Sequence, residues 1–274
     1  MAELDEAQAR AMVDGVASPL DTARLRVTDD GVARGDGAFE TVGVWGGNAF
    51  RLADHLDRLD RSLAALNLPA APRRRLQEEC DALLGGVTED AALRLYVTAS
   101  GTRVVTLSPL SDRGRLDVLV PQAAPWIAPP GTYAPGGAKS MSYGPNMAAR
   151  RRAIQAGGDD ALLHSVPDCW ILEGPTFGVL FVARGIVHVP EVGLGIVDSI
   201  SRRTLLEVAH DHQLDIMTGR WPLEALADAD EVIVSSSLRP ATAVRRVGEW
   251  TYARSHPVAD TLAAGLQSRR RRTP

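Results

Sequence analysis

The chain has 274 residues, 45% hydrophobic and 23% charged, with 30 basic against 34 acidic side chains. That is an ordinary globular composition, long enough for one or two domains around a substantial core. The net charge of −4 disfavours a nucleic-acid partner. No apolar run reaches the ~18–20 residues of a bilayer span, and MAELDEAQAR shows neither the basic start nor the apolar stretch of a signal peptide, so no membrane is implied and the expected location is cytoplasmic.

Residues 1–25 are polar and Ala-rich, with a turn signal at Val13-Asp14-Gly15. A Gly-rich turn over 34–37 feeds a strand at 38–45, and Gly46-Gly47-Asn48 turns it back into a short strand ending at Arg51. Leu52, Leu56, Leu59, Leu63 and Leu66 recur at helical spacing and predict a helix over 52–66. A second helix is expected over 73–85, then strands at 92–98 and 103–107. The polar stretch 110–115 reads as a linker between a small domain, 1–109, and a larger one, 116–274. Beyond it come a strand at 116–120, a Pro/Gly-rich loop over 121–137 and a helix from about 145 to 156. Strands are expected at 162–164, 170–173, 178–183, 186–189 and 231–234, with helices over 202–212 and 222–227. The Arg-rich end, 267–274, reads as a frayed, solvated tail. Helices mix with hairpins and no regular βαβ alternation appears, so the fold class is α+β rather than doubly wound.

Some candidate sites fall away on chemistry. Cys80 and Cys169 form no CxxC, and His210 and His212 point to different faces of one helix, so no metal is expected. Gly193-Leu194-Gly195 lacks both the third glycine of a dinucleotide fingerprint and its βαβ setting. No GxSxG elbow or Walker A motif is present.

Five features survive. Lys139 is the single lysine, every other basic side chain of the Lys/Arg type being arginine. A coding bias explains the arginines, but a position that stays lysine suits an amine that must lose its proton and act as a nucleophile. Ser199-Ile200-Ser201 at a helix start, and Ser235-Ser236-Ser237 after a strand, offer N–H and hydroxyl donors to an anion. Arg51 is a further phosphate candidate. Glu173, ending the apolar run Trp170-Ile171-Leu172, calls for a cationic partner, either a pyridinium N–H or an arginine such as Arg202.

In chain order these residues resemble the fold-type IV, or class IV aminotransferase-like, family of pyridoxal-phosphate enzymes. The likeness covers the chain from about Val13 to Val247. Arg34-Gly35-Asp36-Gly37-Ala38-Phe39-Glu40-Thr41 is similar to the family's GDGxFET segment, and Phe50-Arg51-Leu52 with His55 and Arg58 to its FRLxxHLxR segment. Lys139-Ser140-Met141-Ser142-Tyr143 resembles KSxNY, with Ser142 in place of Asn. Gly195 to Arg202 resembles GILPGITR, with Ser199 for Gly and Ser201 for Thr. The resemblance implies a two-domain enzyme whose larger domain has a β-barrel-like core, working as a homodimer. It implies Lys139 as catalytic residue and cofactor anchor. It implies Arg51, Ile200, Ser201, Ser236 and Ser237 on the cofactor phosphate, Glu173 on the ring nitrogen, and Tyr143 in the cofactor site.

Branched-chain aminotransferases usually follow their phosphate pair with Ala-Ala-Glu. This chain has Leu238-Arg239-Pro240, which looks more like aminodeoxychorismate lyases, with Arg239 available to a substrate carboxylate. The expected reaction removes pyruvate from 4-amino-4-deoxychorismate and leaves 4-aminobenzoate for folate synthesis. An aminotransferase for branched-chain or D-amino acids is the alternative.

Overall fold

The computed structural model describes residues 4–110, 114–124, 137–253 and 255–272. The chain divides into two compact units: Met1–Asp112 with Ala138–Tyr143 and Arg269–Pro274, and Arg113–Gly137 with Gly144–Ser268. The expected division assigned everything after 115 to one domain. The structure instead groups the lysine segment with the first unit, because its backbone is hydrogen-bonded there.

The first unit is an antiparallel sheet with two helices on one face. Its strands are β1 (Arg10–Val13), β2 (Val16–Pro19), β3 (Gly37–Trp45), β4 (Asn48–Ala49), β5 (Ala91–Thr98) and β6 (Arg103–Ser108), in the order β2-β1-β6-β5-β3-β4. The short helix α1 (Asp30–Ala33) precedes β3 and is capped by the Asp29 carboxylate, which accepts from Gly31 N at 2.8 Å. Helices α2 (Leu52–Ala65) and α3 (Arg73–Leu84) cover the sheet. Leu56, Leu59 and Leu63 of α2 and Leu76, Cys80 and Leu83 of α3 are buried against Val42, Val44, Leu93, Leu95 and Leu107. The leucine spacing thus sets which face of α2 turns inward, each buried side chain contributing about 1.5–3 kcal/mol. The hairpin β1–β2 was legible only as its turn, Asp14-Gly15, because each strand is four residues long and only Ala11 and Met12 are buried.

The second unit packs two sheets face to face. One holds β9 (Gly178–Ala183), β10 (Ile186–Pro190), β11 (Ile216–Gly219), β12 (Glu231–Ser236) and β13 (Arg239–Val244), in the order β11-β10-β9-β12-β13. The other holds β7 (Val118–Ala123), β8 (Asp160–His164), β14 (Arg246–Val247) and β15 (Trp250–Thr251), in the order β15-β14-β7-β8. Phe177, Val179, Phe181, Val232 and Val234 meet Leu119, Leu162 and Val247 between them. Helix α4 (Gly144–Gln155) covers the smaller sheet, and α5 (Ile200–Asp211) and α6 (Pro257–Arg272) cover the larger.

Three expectations are corrected. The β-barrel-like core is two open sheets rather than a closed barrel. The chain leaves β13 at Arg245, and the N–H groups of Arg245 and Arg246 both go to Asp117 O, so β14 joins β7 and no ladder closes the corner. The run 170–173 forms only single bridges, His164↔Ile171 and Trp170↔Pro222. Residues 267–272 are not frayed: they end α6, which runs to Arg272. Glu231 accepts from Val258 N and Ala259 N at 3.0 and 2.8 Å and so caps its start. Arg270 is buried with its guanidinium 4.8 Å from the Trp45 ring centroid, a cation–π contact that charge counting does not reveal. The expected loop over 121–137 lies largely outside the described residues.

Candidate active site

In the first unit the lysine segment lies along the start of β3 like a seventh strand. Phe39 N donates to Lys139 O at 3.0 Å, Met141 N to Gly37 O at 2.8 Å and Ser142 Oγ to Gly35 O at 2.9 Å, with an antiparallel bridge Ala38↔Ser140. Lys139 N donates to Ser62 Oγ on α2 at 3.0 Å. The glycines make room for this. Gly37 has φ +154°, and a Cβ there would lie 2.5 Å from Val97 O and 2.7 Å from Met141 Sδ. The Gly-rich run is therefore the seat of the lysine segment, and Ser142 joins that seat through its hydroxyl.

The amine lies over aromatic faces. Lys139 Nζ is 4.3 Å from the Phe39 ring centroid and 5.4 Å from that of Tyr143. Phe39 is itself held, stacked on Tyr96 at 5.9 Å and edge-on to Tyr143 at 5.1 Å. These rings stabilise a cation on Nζ and shield that side from water. Tyr143 thus stands beside Lys139.

Arg51 is the N-cap of α2, in the left-handed conformation at φ 55°, and pairs with Asp54. A non-glycine residue there is strained, and such strain gathers at functional sites. One turn further, a buried cluster lies between α2 and β3. Arg58 Nε and Nη2 donate to the two Glu40 oxygens at 2.7 and 2.6 Å, and His55 Nδ1 is 2.7 Å from Glu40 Oε2. Burial alone would raise the Glu40 pKa. The Arg58 charge and hydrogen bonds, helped by His55, overcome that and hold it at about 2. Burial lowers the His55 pKa. Glu40 opposes the fall, whereas Arg58 and Lys139 add to it, so the imidazole is neutral. Sequence reading noted Glu40, His55 and Arg58 only as motif letters and missed Ser62. The available signal was four polar side chains at inward positions of a leucine-rich helix and a valine-rich strand.

In the second unit Glu173 Oε1 accepts from Val197 N at 3.2 Å. Arg202 is not its partner: Arg202 Nη1 donates to Pro190 O at 3.0 Å and Nη2 to Asp198 Oδ1 at 3.1 Å, which ties the first turn of α5 to the end of β10. Arg203 also pairs with Asp198. Burial would raise the Asp198 pKa, but Arg203 and then Arg202 pull it below the usual carboxylate range, so a fixed anion stands beside the helix start. The side chain of Ser199 accepts from Arg202 N at 3.3 Å and caps α5. The N–H groups of Ile200 and Ser201, both buried residues, have no acceptor among the described residues. Gly178 connects this helix start with the serine run. It pairs in register with Ser235, and a Cβ on it would lie 3.8 Å from Ser199 Cβ. The structure therefore places Ser199, at the start of α5, near Ser235, and Ser236 and Ser237 follow Ser235 where β12 turns into β13. Arg239 opens β13, and its Nη1 donates to Gly114 O at 2.8 Å, a use of the guanidinium that its sequence context did not signal.

A family model for class IV amino-transferases matches residues 37–247. The chain is 28% identical over 258 residues to an aminodeoxychorismate lyase of Bacillus subtilis, covering 87% of this chain and 84% of that one. It is 27% identical over 271 residues to a bifunctional aminodeoxychorismate lyase / D-amino acid transaminase of Mycobacterium tuberculosis, covering 87% and 91%. Its fold is similar to the PLP-bound form of a hypothetical aminotransferase from Mycobacterium tuberculosis, with TM-score 0.86, 25% identity and coverage of 95% and 98%.

Proposed function

Since the chain belongs to the class IV amino-transferase family and takes pyridoxal phosphate, we propose that its reaction is the conversion of 4-amino-4-deoxychorismate to 4-aminobenzoate and pyruvate. The residues present fit the cofactor. Two buried N–H groups at the start of a helix, with serine hydroxyls beside them, are the chemistry of a phosphate site. In this reading Ile200, Ser201, Ser236, Ser237 and Arg51 hold the phosphate, Glu173 accepts the ring N–H, and Tyr143 flanks Lys139.

When bound, the cofactor supplies an electron sink for the substrate's α-carbon. The protein's own groups do the rest. Lys139 Nζ anchors the cofactor through a bond that only an amine can make, and once released it carries the proton, first as base and then as acid. Phe39 beneath Nζ keeps water from that face. Glu173, oriented by Val197 N–H, holds a proton on the ring nitrogen. Arg202 and Arg203 balance Asp198, so its charge does not oppose an anion at the α5 start.

The observation that carries the lyase reading is the run Leu238-Arg239-Pro240 after Ser236-Ser237, where branched-chain aminotransferases usually have Ala-Ala-Glu: the glutamate is missing and an arginine precedes its place. The substrate carries two carboxylates, which suit a guanidinium. The curated lyase relatives support the same choice. A second reading, an aminotransferase for D- or branched-chain amino acids, is favoured by the bifunctional relative. A homodimer and a cytoplasmic location belong to both readings.

The test is to incubate the purified protein with enzymatically made aminodeoxychorismate and, separately, with D-alanine or leucine plus 2-oxoglutarate. Chromatography then identifies the products. Formation of 4-aminobenzoate and pyruvate is expected. Amino transfer at ordinary rates with no 4-aminobenzoate would move the assignment to the second reading.

A further inference from the structure

The buried cluster Glu40, His55 and Arg58 has no role in the chemistry above. We propose that Glu40 is a positioning residue for Lys139: through Arg58 and His55 it bolts α2 to β3 where both elements hold the lysine backbone, and its charge balances Arg58 there. The inference rests on Lys139 being the reacting amine.

The geometry carries it. The two backbone groups of Lys139 are held by different elements, its N–H by Ser62 on α2 and its C=O by Phe39 on β3. Glu40 follows Phe39 in the strand, and Arg58 lies one turn before Ser62 in the helix. Arg51, His55, Arg58 and Ser62 are spaced i, i+4, i+7 and i+11, which places them on one helix face. The carboxylate–guanidinium pair therefore fixes the register of α2 on β3 between the strained N-cap Arg51 and the serine that holds the lysine. A slip of that register would move Ser62 away from Lys139 N and the Phe39 ring away from Nζ.

The charges point the same way. Glu40 is fully buried and Arg58 is 4% exposed, so neither is screened by water. The other groups facing β3 in the first unit are few. β5 brings Tyr96 beside Phe39 and Arg94 opposite Thr41, the latter bonded to Ser108 Oγ at 3.2 Å. α2 brings His55, held neutral, and the lysine segment brings Tyr143. Glu40 thus offsets Arg58 through two hydrogen bonds. Without it, the buried guanidinium loses those bonds and that charge, and a second cation on Lys139 becomes less favourable. Without Arg58, the surviving carboxylate favours the ammonium.

The single lysine makes this measurable. Full-length protein grown on [ε-13C]lysine gives one lysine Cε signal, which is titrated against pH before and after removal of the cofactor. In the cofactor-free chain we expect Glu40→Gln to lower the amine midpoint by about one pH unit, a tenfold change in the ammonium ratio, and Arg58→Gln to raise it. Leu59→Ala, which leaves a cavity on the same helix, should lower the melting temperature without moving the midpoint. The proposal is overturned if folded Glu40→Gln and Arg58→Gln both titrate as wild type, or if Leu59→Ala shifts the midpoint as far. Should Glu40→Gln not fold by circular dichroism, Arg58→Gln alone decides. Borohydride labelling of the wild type is read separately. Its failure removes Lys139 as the reacting amine while leaving the measured coupling intact, so the two failures are distinct.

Discussion

Replacing Gly37 by alanine tests whether the Gly-rich run exists to admit the lysine segment. The new Cβ would meet Val97 O at 2.5 Å, Met141 Sδ at 2.7 Å and Thr98 Cα at 2.9 Å. The methionine end can swing aside, but Val97 and Thr98 are backbone of the central strand β5 and cannot. Overpacking of this kind costs about 1–3 kcal/mol. The φ of +154° adds about 1–3 kcal/mol for any residue with a side chain. A loss of about 2–6 kcal/mol is therefore expected. Two glycines serve as references. Gly46 also has positive φ, +56°, but a Cβ there meets nothing within 4 Å, so its alanine variant should lose only the backbone term, about 1–2 kcal/mol. Gly35→Ala should fall between them, because its Cβ would press on Ser142 Oγ and Cα at 3.1 and 3.3 Å. Urea unfolding followed by circular dichroism gives the three values. Borohydride trapping of cofactor on the Lys139 peptide reports the seat itself and should fall most in Gly37→Ala. If Gly37→Ala unfolds within about 0.5 kcal/mol of Gly46→Ala, or keeps full trapping, the close approach is not what the glycine is for.

Other outcomes rest on the same geometry. Lys139→Arg should keep the fold and lose all turnover, because a guanidinium holds its proton and cannot bond a carbonyl carbon. In the wild type, borohydride should fix the cofactor to the Lys139 peptide and to no other, as mass spectrometry of the digest will show. Stability should fall in acid in two overlapping steps. His55, whose pKa is lowered on folding, destabilises the fold as pH drops below about 6.5, where the unfolded imidazole charges. Glu40, held at about 2, loses its stabilisation as pH falls from about 4.5 towards 2, about 3 kcal/mol in all. Glu40→Gln should flatten the lower step in urea midpoints measured from pH 3 to 7, and an unchanged slope would contradict the pairing. Arg239→Ala should lower kcat/KM for aminodeoxychorismate about ten- to a hundredfold, the effect of one charge-assisted hydrogen bond. A lower melting temperature with unchanged kinetics would instead leave Arg239 only its bond to the Gly114 carbonyl.

Local chemistry was legible in the residues. Leucines at helical spacing mark α2 and its buried face, because burial needs only one side of the helix to be apolar. Glycine and turn residues mark Gly46-Gly47 and Asp14-Gly15, because only certain residues accept positive φ. The lysine drew attention by its isolation in an arginine-rich chain. Pairing over long separation, by contrast, leaves no trace in a run of neighbours. Chain order places the lysine segment with the larger domain, yet its hydrogen bonds go back to Gly35, Gly37, Phe39 and Ser62, about a hundred residues earlier. Arg202 was a reasonable partner for Glu173 until Asp198, four residues away, took its guanidinium. The C-terminal arginines read as solvated because charge is usually exposed, whereas Arg270 is buried with its guanidinium over the Trp45 ring. The Glu40–His55–Arg58 cluster shows locally only as polar side chains at inward positions: a carboxylate on a strand and two bases on a helix become one group only when packing closes the distance and removes the water. Periodicity and backbone preference are properties of neighbours in the chain and survive in the sequence. Charge pairing and the seat of the amine depend on which elements meet, and the tertiary fold alone decides that.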